Sequence, residues 1–279
     1  LRVVGRGTWL DGGAPVRADA EPLHLDAFSG IIEYEPGDLT ITVGAATAIA
    51  ELDEVTAAHR QLCPLSPWGG DAGSVGATIA TATAGPSSRA LGLPRDLVLG
   101  LECVDGTGKV LRPGGKVVKN VAGFDLTRLM TGAWGTLGAV TRVSLRLRAQ
   151  PAVDETWAVP LDADDGARAE PIGAFVRGHT PPVACERLDV ALASLLGLES
   201  REYLLVRLAG NAAFVGAARA AVSALGPAAV CDAGIWAKLR AAPRATTIRP
   251  AMSSGVRALN VRVKHAFDPA DILNPGIMG

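Results

Sequence analysis

Apolar and polar positions alternate most plainly near residues 142–148, where Val143, Leu145 and Leu147 are separated by Ser144 and Arg146 and flanked by Arg142 and Arg148. Successive side chains of a strand point to opposite faces, so this period of two predicts a half-buried β-strand. Leu39-Thr40-Ile41-Thr42-Val43 is β-branched and stops at Gly44, which predicts a second strand. Residues 47–60 change period: Ile49, Leu52, Val55 and Ala58 recur along one face of a helix. The apolar run Val75 to Ala84 reads as a short helix. Leu97 to Val104 and Lys109 to Leu111 flank Asp105-Gly106-Thr107-Gly108, the pattern of a β-hairpin.

Beyond Gln150-Pro151 the character of the chain changes. A strand is predicted near Thr156–Val159, another over Tyr203–Leu208, and a helix over Ala212–Leu225. Sharp glycine-rich punctuation is largely confined to residues 1–150. That asymmetry predicts a cofactor domain over 1–150 and a smaller second domain over 151–279. No internal repeat and no low-complexity tail interrupts either part. The chain opens in Leu1-Arg2-Val3-Val4, strand-like from its first residue and without a signal peptide, so the expectation is that an element is missing before Leu1.

Composition narrows the class. Hydrophobic residues make up 48% and charged residues 20%, the balance of a soluble globular protein. With 27 Lys+Arg against 28 Asp+Glu the net charge is −1, so charge alone draws the chain to neither nucleic acid nor anionic lipid. No uncharged apolar run reaches the roughly 18 residues of a membrane helix. Cys63, Cys103, Cys185 and Cys231 lie far apart and show no CxxC spacing, which excludes the usual iron–sulfur and zinc patterns. Buried free thiols in a reducing cytoplasm are expected.

Three glycine-rich loops carry the candidate chemistry. Glycine lacks Cβ, so successive N–H groups can converge closely on an anion. The first loop is Gly5-Arg6-Gly7-Thr8-Trp9, directly after an apolar strand. A second runs from Trp68-Gly69-Gly70 through Asp71-Ala72-Gly73-Ser74-Val75-Gly76-Ala77 into the short helix, and the third is Gly132-Ala133-Trp134-Gly135-Thr136-Leu137-Gly138. None is a Rossmann fingerprint: after Gly5 and Gly7 the third glycine position holds Leu10, and no helical pattern follows. A Walker loop fails as well, since Gly108-Lys109 has Cys103 in place of the first glycine and Val110 in place of Ser or Thr.

Residues 31–148 resemble the vanillyl-alcohol-oxidase, or PCMH-type, FAD-binding family, and within it the FAD-binding subunits of bacterial glycolate oxidases. The resemblance rests on Glu35-Pro36-Gly37-Asp38-Leu39, on Arg95-Asp96-Leu97-Val98-Leu99-Gly100, and above all on Lys119-Asn120-Val121-Ala122-Gly123-Phe124-Asp125-Leu126-Thr127-Arg128-Leu129-Met130. Gly135-Thr136-Leu137-Gly138-Ala139-Val140-Thr141 continues it, and Phe267-Asp268-Pro269 with Leu273-Asn274-Pro275-Gly276 resembles the family's closing signature. Residues 160–258 show no such likeness.

The resemblance implies an α+β fold: a two-subdomain PCMH-type FAD-binding domain, then a small α/β cap-like domain whose C-terminal tail returns to the flavin. It implies FAD held without a covalent link, since the first loop has no His or Cys. Gly5, Arg6, Gly7, Thr8 and Trp9 would cradle the pyrophosphate, with Arg6 standing where the family usually has glycine. Pro67, Asp71, Gly73, Ser74, Gly76 and Ala77 would line the pyrophosphate and the flavin-proximal part. Ala80 and Gly85 would allow close approach, Gly135 and Val140 would pack on adenosine, and Asn274 would approach the isoalloxazine. Related D-2-hydroxy-acid dehydrogenases carry paired histidines for a metal. Here His24, His59, His179 and His265 have no such spacing, so no metal is expected.

The implied reaction removes hydride from the α-carbon of a small 2-hydroxy acid, glycolate or D-lactate, with flavin as acceptor. Implied partners are a larger flavoprotein subunit and an iron–sulfur subunit of a glycolate-oxidase-like complex. The expected place is the cytoplasm, with the inner membrane face reached through those partners. Three readings stay open: a catalytic component, an FAD-binding assembly or electron-relay subunit, and a standalone flavin oxidase, for which little chain remains to build a substrate cap. Sequence leaves the catalytic base unassigned. His265 is a candidate base or a surface residue; Arg89, Arg95, Arg128 and Arg249 are candidate carboxylate clamps or ion-pair partners. Lys116 and Lys119 could meet a phosphate or simply face solvent, and Trp134 could fill the space where substrate would enter.

Overall fold

The computed structural model describes residues 1–115, 125–161, 169–243 and 254–277. The chain divides into two compact units, Leu1–Ala84 with Leu93–Ala149 and Pro243–Gly279, and Gly85–Gly92 with Gln150–Ala242. The change at Gln150 coincides with a unit boundary. The expected 1–150 and 151–279 division differs from this in two places: residues 85–92 group with the second unit, and the tail from Pro243 groups with the first.

The first unit is built on a five-stranded antiparallel sheet in the order Ile31–Glu35, Thr40–Gly44, Ala139–Arg146, Val98–Val104, Val110–Leu111. Alternation sets its faces: Ile41, Val43, Val143 and Leu145 are buried, while Arg142 and Arg146 are exposed. Against that apolar side lie Ile49 and Leu52 of the helix Ile49–Ala57, with Val75 and Ile79 of the helix Val75–Thr81. Ala58 falls beyond the first helix and is exposed. Thr56 is buried instead, because its hydroxyl is satisfied by donating to the Leu52 carbonyl at 3.0 Å. The hairpin forms where its turn residues place it, with the Asp105 carboxylate accepting from the backbone N–H of Thr107 at 2.9 Å and of Lys109 at 3.0 Å. A separate parallel pair joins Arg2–Val4 to Pro22–His24.

The second unit holds a four-stranded antiparallel sheet, Ala184–Leu188, Glu202–Gly210, Val153–Leu161, Ala229–Cys231. Its central pair runs nine residues in unbroken register, from Val153↔Gly210 to Leu161↔Glu202. Val159, Leu161, Leu204, Val206 and Leu208 form one core with Phe175 of the helix Ala169–Arg177 and Val215, Ala218 and Val222 of the helix Ala212–Ser223. Asn211 starts the latter helix, its side-chain oxygen accepting from Phe214 N–H at 2.8 Å, which satisfies one of the orphan donors of the first turn. Arg207 grips Asp154 through two bonds, of 2.9 and 2.6 Å, and reaches Ser87 Oγ of the inserted segment at 3.5 Å. Among the described residues, no helix is long and apolar enough to cross a membrane.

Candidate functional site

All three glycine-rich loops belong to the first unit, where they meet along one trough. The strand Arg2–Val4 ends at Gly5, and Gly7 turns the chain with φ +73°, a conformation that costs glycine nothing. Among the described residues, the N–H groups of Arg6, Gly7, Thr8 and Trp9 donate to no protein acceptor. Consecutive free N–H groups at such a turn make a concavity for an anion. The second loop packs directly on the first: a Cβ on Gly5 would lie 2.6 Å from Ser74 Oγ, and one on Gly73 would lie 3.3 Å from Thr8 Oγ1. Ser74 caps the helix Val75–Thr81, its hydroxyl accepting from Ala77 N–H at 3.2 Å. A Cβ on Gly76 would meet the Ala45 Cβ at 2.7 Å, so only glycine lets this helix sit so close to its neighbouring strand end.

The trough is lined by Gly5, Gly7, Thr8 and Trp9 from the first loop and by Ser74, Gly76, Ala77 and Ala80 from the second loop and its helix. Gly135 and Val140 line it from the third loop and the strand that follows, and Asn274 from the C-terminal tail. Its empty volume is about 700 Å³ counting the part open to solvent. It is an open groove. Among the described residues, none of the lining side chains is charged.

Five of the expected cofactor residues do not line it. Arg6 turns its side chain away, its Nε donating to the Ala72 carbonyl at 2.8 Å. Asp71 and Gly73 spend their carbonyls on Ala50 and Ile49 N–H, both at 3.0 Å, at the start of the helix Ile49–Ala57. Pro67 lies outside the lining, and Gly85 groups with the second unit. Sequence reading passed over Val3, Leu25, Ala45, Thr81, Gly138 and Ile277, which do line the trough. These are apolar or small residues that approach through backbone and packing, and only Gly138 stood in a segment that signalled it.

The remaining candidates fall elsewhere. His265 is exposed on the helix Ser254–Phe267. Arg95 lies 3.9 Å from Asp96, while Arg128 lies 3.6 Å from Asp96 and 3.3 Å from Asp125, so both serve surface ion pairs. Arg89 donates to the Val176 carbonyl at 3.4 Å within the second unit. Lys116, Lys119, the stretch 119–124 and Arg249 lie outside the described residues. The rest of that motif begins a helix, with Asp125 capping Leu126–Met130 by accepting from Arg128 N–H at 3.0 Å.

The closing signature has a structural task. Asp268 is buried and accepts from Lys264 Nζ, from Leu273 N–H at 2.8 Å and from Ile272 N–H at 3.1 Å. Burial alone would raise its pKa, but Lys264 and the two N–H donors outweigh that and hold the carboxyl below its ordinary range. Behind the trough, a Cβ on Gly138 would lie 3.3 Å from Cys103 Sγ. Burial first, then the nearby Asp105 and Glu102 charges, push that thiol up to about 11, so it stays protonated. Burial likewise pushes Cys63 up to about 12.

Tested against FAD, the trough fits. It offers free N–H donors at a positive-φ glycine turn for the pyrophosphate, and apolar walls for the rings.

Residues 1–114 match the family described as FAD binding domain. Glycolate oxidase subunit GlcE of Escherichia coli is 37% identical over 140 residues, covering 50% of this chain and 39% of that protein. Glycolate oxidase subunit GlcD of Bacillus subtilis is 31% identical over 185 residues, 66% of this chain and 39% of that one. D-lactate dehydrogenase of Archaeoglobus fulgidus is 31% identical over 163 residues, 58% and 36% respectively. The chain thus spans under half the length of these curated relatives. Among solved structures, two of alkyldihydroxyacetonephosphate synthase share the fold. One has TM-score 0.76 at 15% identity, covering 98% of this chain and 72% of that one; the other has 0.68 at 16%, covering 86% and 49%.

Proposed function

We propose that this chain, whose residues 1–114 match the FAD binding domain family, is the FAD-binding component of an oxidase or dehydrogenase for small 2-hydroxy acids such as glycolate or D-lactate. The observation that carries the reading is the convergence of three glycine-rich loops on one uncharged trough. Its likeness to two glycolate oxidase subunits and a D-lactate dehydrogenase supports the substrate class. In this reading it works beside a larger flavoprotein subunit and an iron–sulfur subunit, in the cytoplasm.

The N–H groups of Arg6, Gly7, Thr8 and Trp9 would hold the pyrophosphate. Ser74, Gly76, Ala77 and Ala80 would line the cofactor along the helix, and Gly135 and Val140 would close its other side. Binding is non-covalent. The chemistry FAD supplies when bound is acceptance of two electrons from a CH–OH carbon and their onward delivery. The chain's own share is orientation, a dry apolar wall and compensation of the phosphate charge.

A second reading, an electron-relay or assembly subunit, is favoured by one observation. No charged side chain lines the trough, so among the described residues of this unit none there is suited to clamp a carboxylate or take a hydroxyl proton. Anaerobic addition of glycolate and D-lactate to the FAD-reconstituted chain separates the two. Bleaching of the flavin absorbance supports a catalytic component; persistence of the bands in the isolated chain, with bleaching only when a partner subunit is added, supports a relay.

A further inference from the structure

Asn274 lines the trough, yet both ends of its side-chain amide are committed to the protein. Oδ1 accepts from Val3 N–H at 2.7 Å, and Nδ2 donates to the Trp134 carbonyl at 2.7 Å. Its backbone is committed as well: N–H donates to the Leu1 carbonyl at 2.8 Å and the carbonyl accepts from Ile277 N–H at 3.2 Å. The residue is buried and sits at φ +42°, a left-handed conformation that asparagine tolerates better than most residues with a side chain. Trp134, itself at φ +53°, donates its N–H to the Ala80 carbonyl at 2.7 Å. A Cβ on Gly135 would meet Asn274 Nδ2 at 2.6 Å, so glycine is required beside the amide.

These bonds form one series across the trough: the helix Val75–Thr81 through Ala80, then Trp134, then Asn274, then Val3 of the strand that feeds the Gly5–Trp9 loop. Ala80, Trp134, Asn274 and Val3 all line the groove. From this we infer that Asn274 is a positioning residue. It acts through Val3 and Trp134 to set the separation of the groove's two walls. The C-terminal signature is then the clasp of the site, with Asp268 fixing the Ile272–Leu273 turn that presents Asn274. The inference deepens the FAD reading and rests on it.

Asn274→Asp keeps the shape but replaces a donor with an acceptor facing the Trp134 carbonyl. The buried carboxylate repels that carbonyl, and its pKa rises for the same reason and through desolvation. Protonation restores a donor toward Trp134 while the other oxygen still accepts from Val3 N–H. The measurement is FAD affinity, by flavin fluorescence titration of wild type and N274D between pH 8 and pH 5. We expect N274D to bind roughly ten- to a hundred-fold more weakly than wild type at pH 8, the factor for one lost buried hydrogen bond. The deficit should shrink to about threefold or less at pH 5. Asn274→Gly, which accepts φ +42° without strain, should weaken binding at every pH with no recovery. Equal affinity of N274D and wild type at pH 8, or a deficit that ignores pH, overturns the inference. So does wild-type affinity in a cooperatively folded N274G, which covers the case in which N274D does not fold. Wild type that takes up no FAD overturns this inference together with the cofactor reading.

Discussion

The two units solve different problems with the same chain chemistry. In the second, a nine-residue pair in unbroken register carries alternating apolar side chains into a helix-covered core, and its charges meet partners such as Arg207 and Asp154. In the first, the sheet carries register shifts in the pairings of Ile31–Glu35 and Val98–Val104, and the trough beside it is assembled from loops in uncommon backbone conformations. All six described non-glycine residues with positive φ, Trp134 and Asn274 among them, lie in the first unit and none in the second. Strain of this kind collects where surrounding structure holds it for a purpose. Regular pairing makes a stable body, and irregular, hydrogen-bonded loops make a binding surface.

Four substitutions break or sharpen that contrast. The largest expected effect is Leu208→Ala, at a fully buried position of the second core. It should lower stability by about 3 kcal/mol in urea unfolding and leave FAD affinity within about twofold of wild type. A parallel loss of FAD affinity would mean that the units are not separable in function. Next is Gly76→Val, which drives side-chain atoms into Ala45. It should cost about 2 kcal/mol and, unlike the core change, abolish FAD retention on desalting.

Asp268→Asn should cost on the order of 2 kcal/mol, because Lys264 loses its buried partner. The sign of its pH dependence follows from a lowered folded pKa. The Asp268 contribution is complete above the ordinary value of 3.8 and is lost as pH falls through the folded one. Wild type should therefore lose stability on acidification below about pH 4 more steeply than the variant, measured by unfolding from pH 7 to pH 2.5. Smallest is Arg207→Met, which breaks a part-exposed pair in the second unit and should cost under about 1 kcal/mol by thermal melting, with no change in FAD binding.

What sequence made legible was periodic. The strands Thr40–Gly44, Ala139–Arg146 and Glu202–Gly210 and the helix Ala212–Ser223 lie where apolar spacing predicted them, and the hairpin lies where Asp105–Gly108 predicted it. The likeness of residues 1–114 to the FAD binding domain family was legible through the glycine loops and the motifs after them. Long-range placement was less so. Arg6, Asp71 and Gly73 stand in loop text that reads as phosphate-binding, yet they are turned to Ala72, Ala50 and Ile49 by bonds that no local pattern announces. Leu25 and Ala45 carry no polar signal and enter the trough only because the sheet brings them there. The role of Asn274 depends on partners 271 and 140 residues away, at Val3 and Trp134.

The most direct test of the central claim, that the glycine-lined trough of the first unit holds FAD, is the flavin-to-protein ratio. The chain is purified, reconstituted with FAD and desalted, and the ratio is read from flavin absorbance for wild type and Gly76→Val side by side. A ratio near one for wild type and near zero for G76V is the predicted result. Wild type that retains no flavin, or a folded G76V that retains as much as wild type, would contradict it.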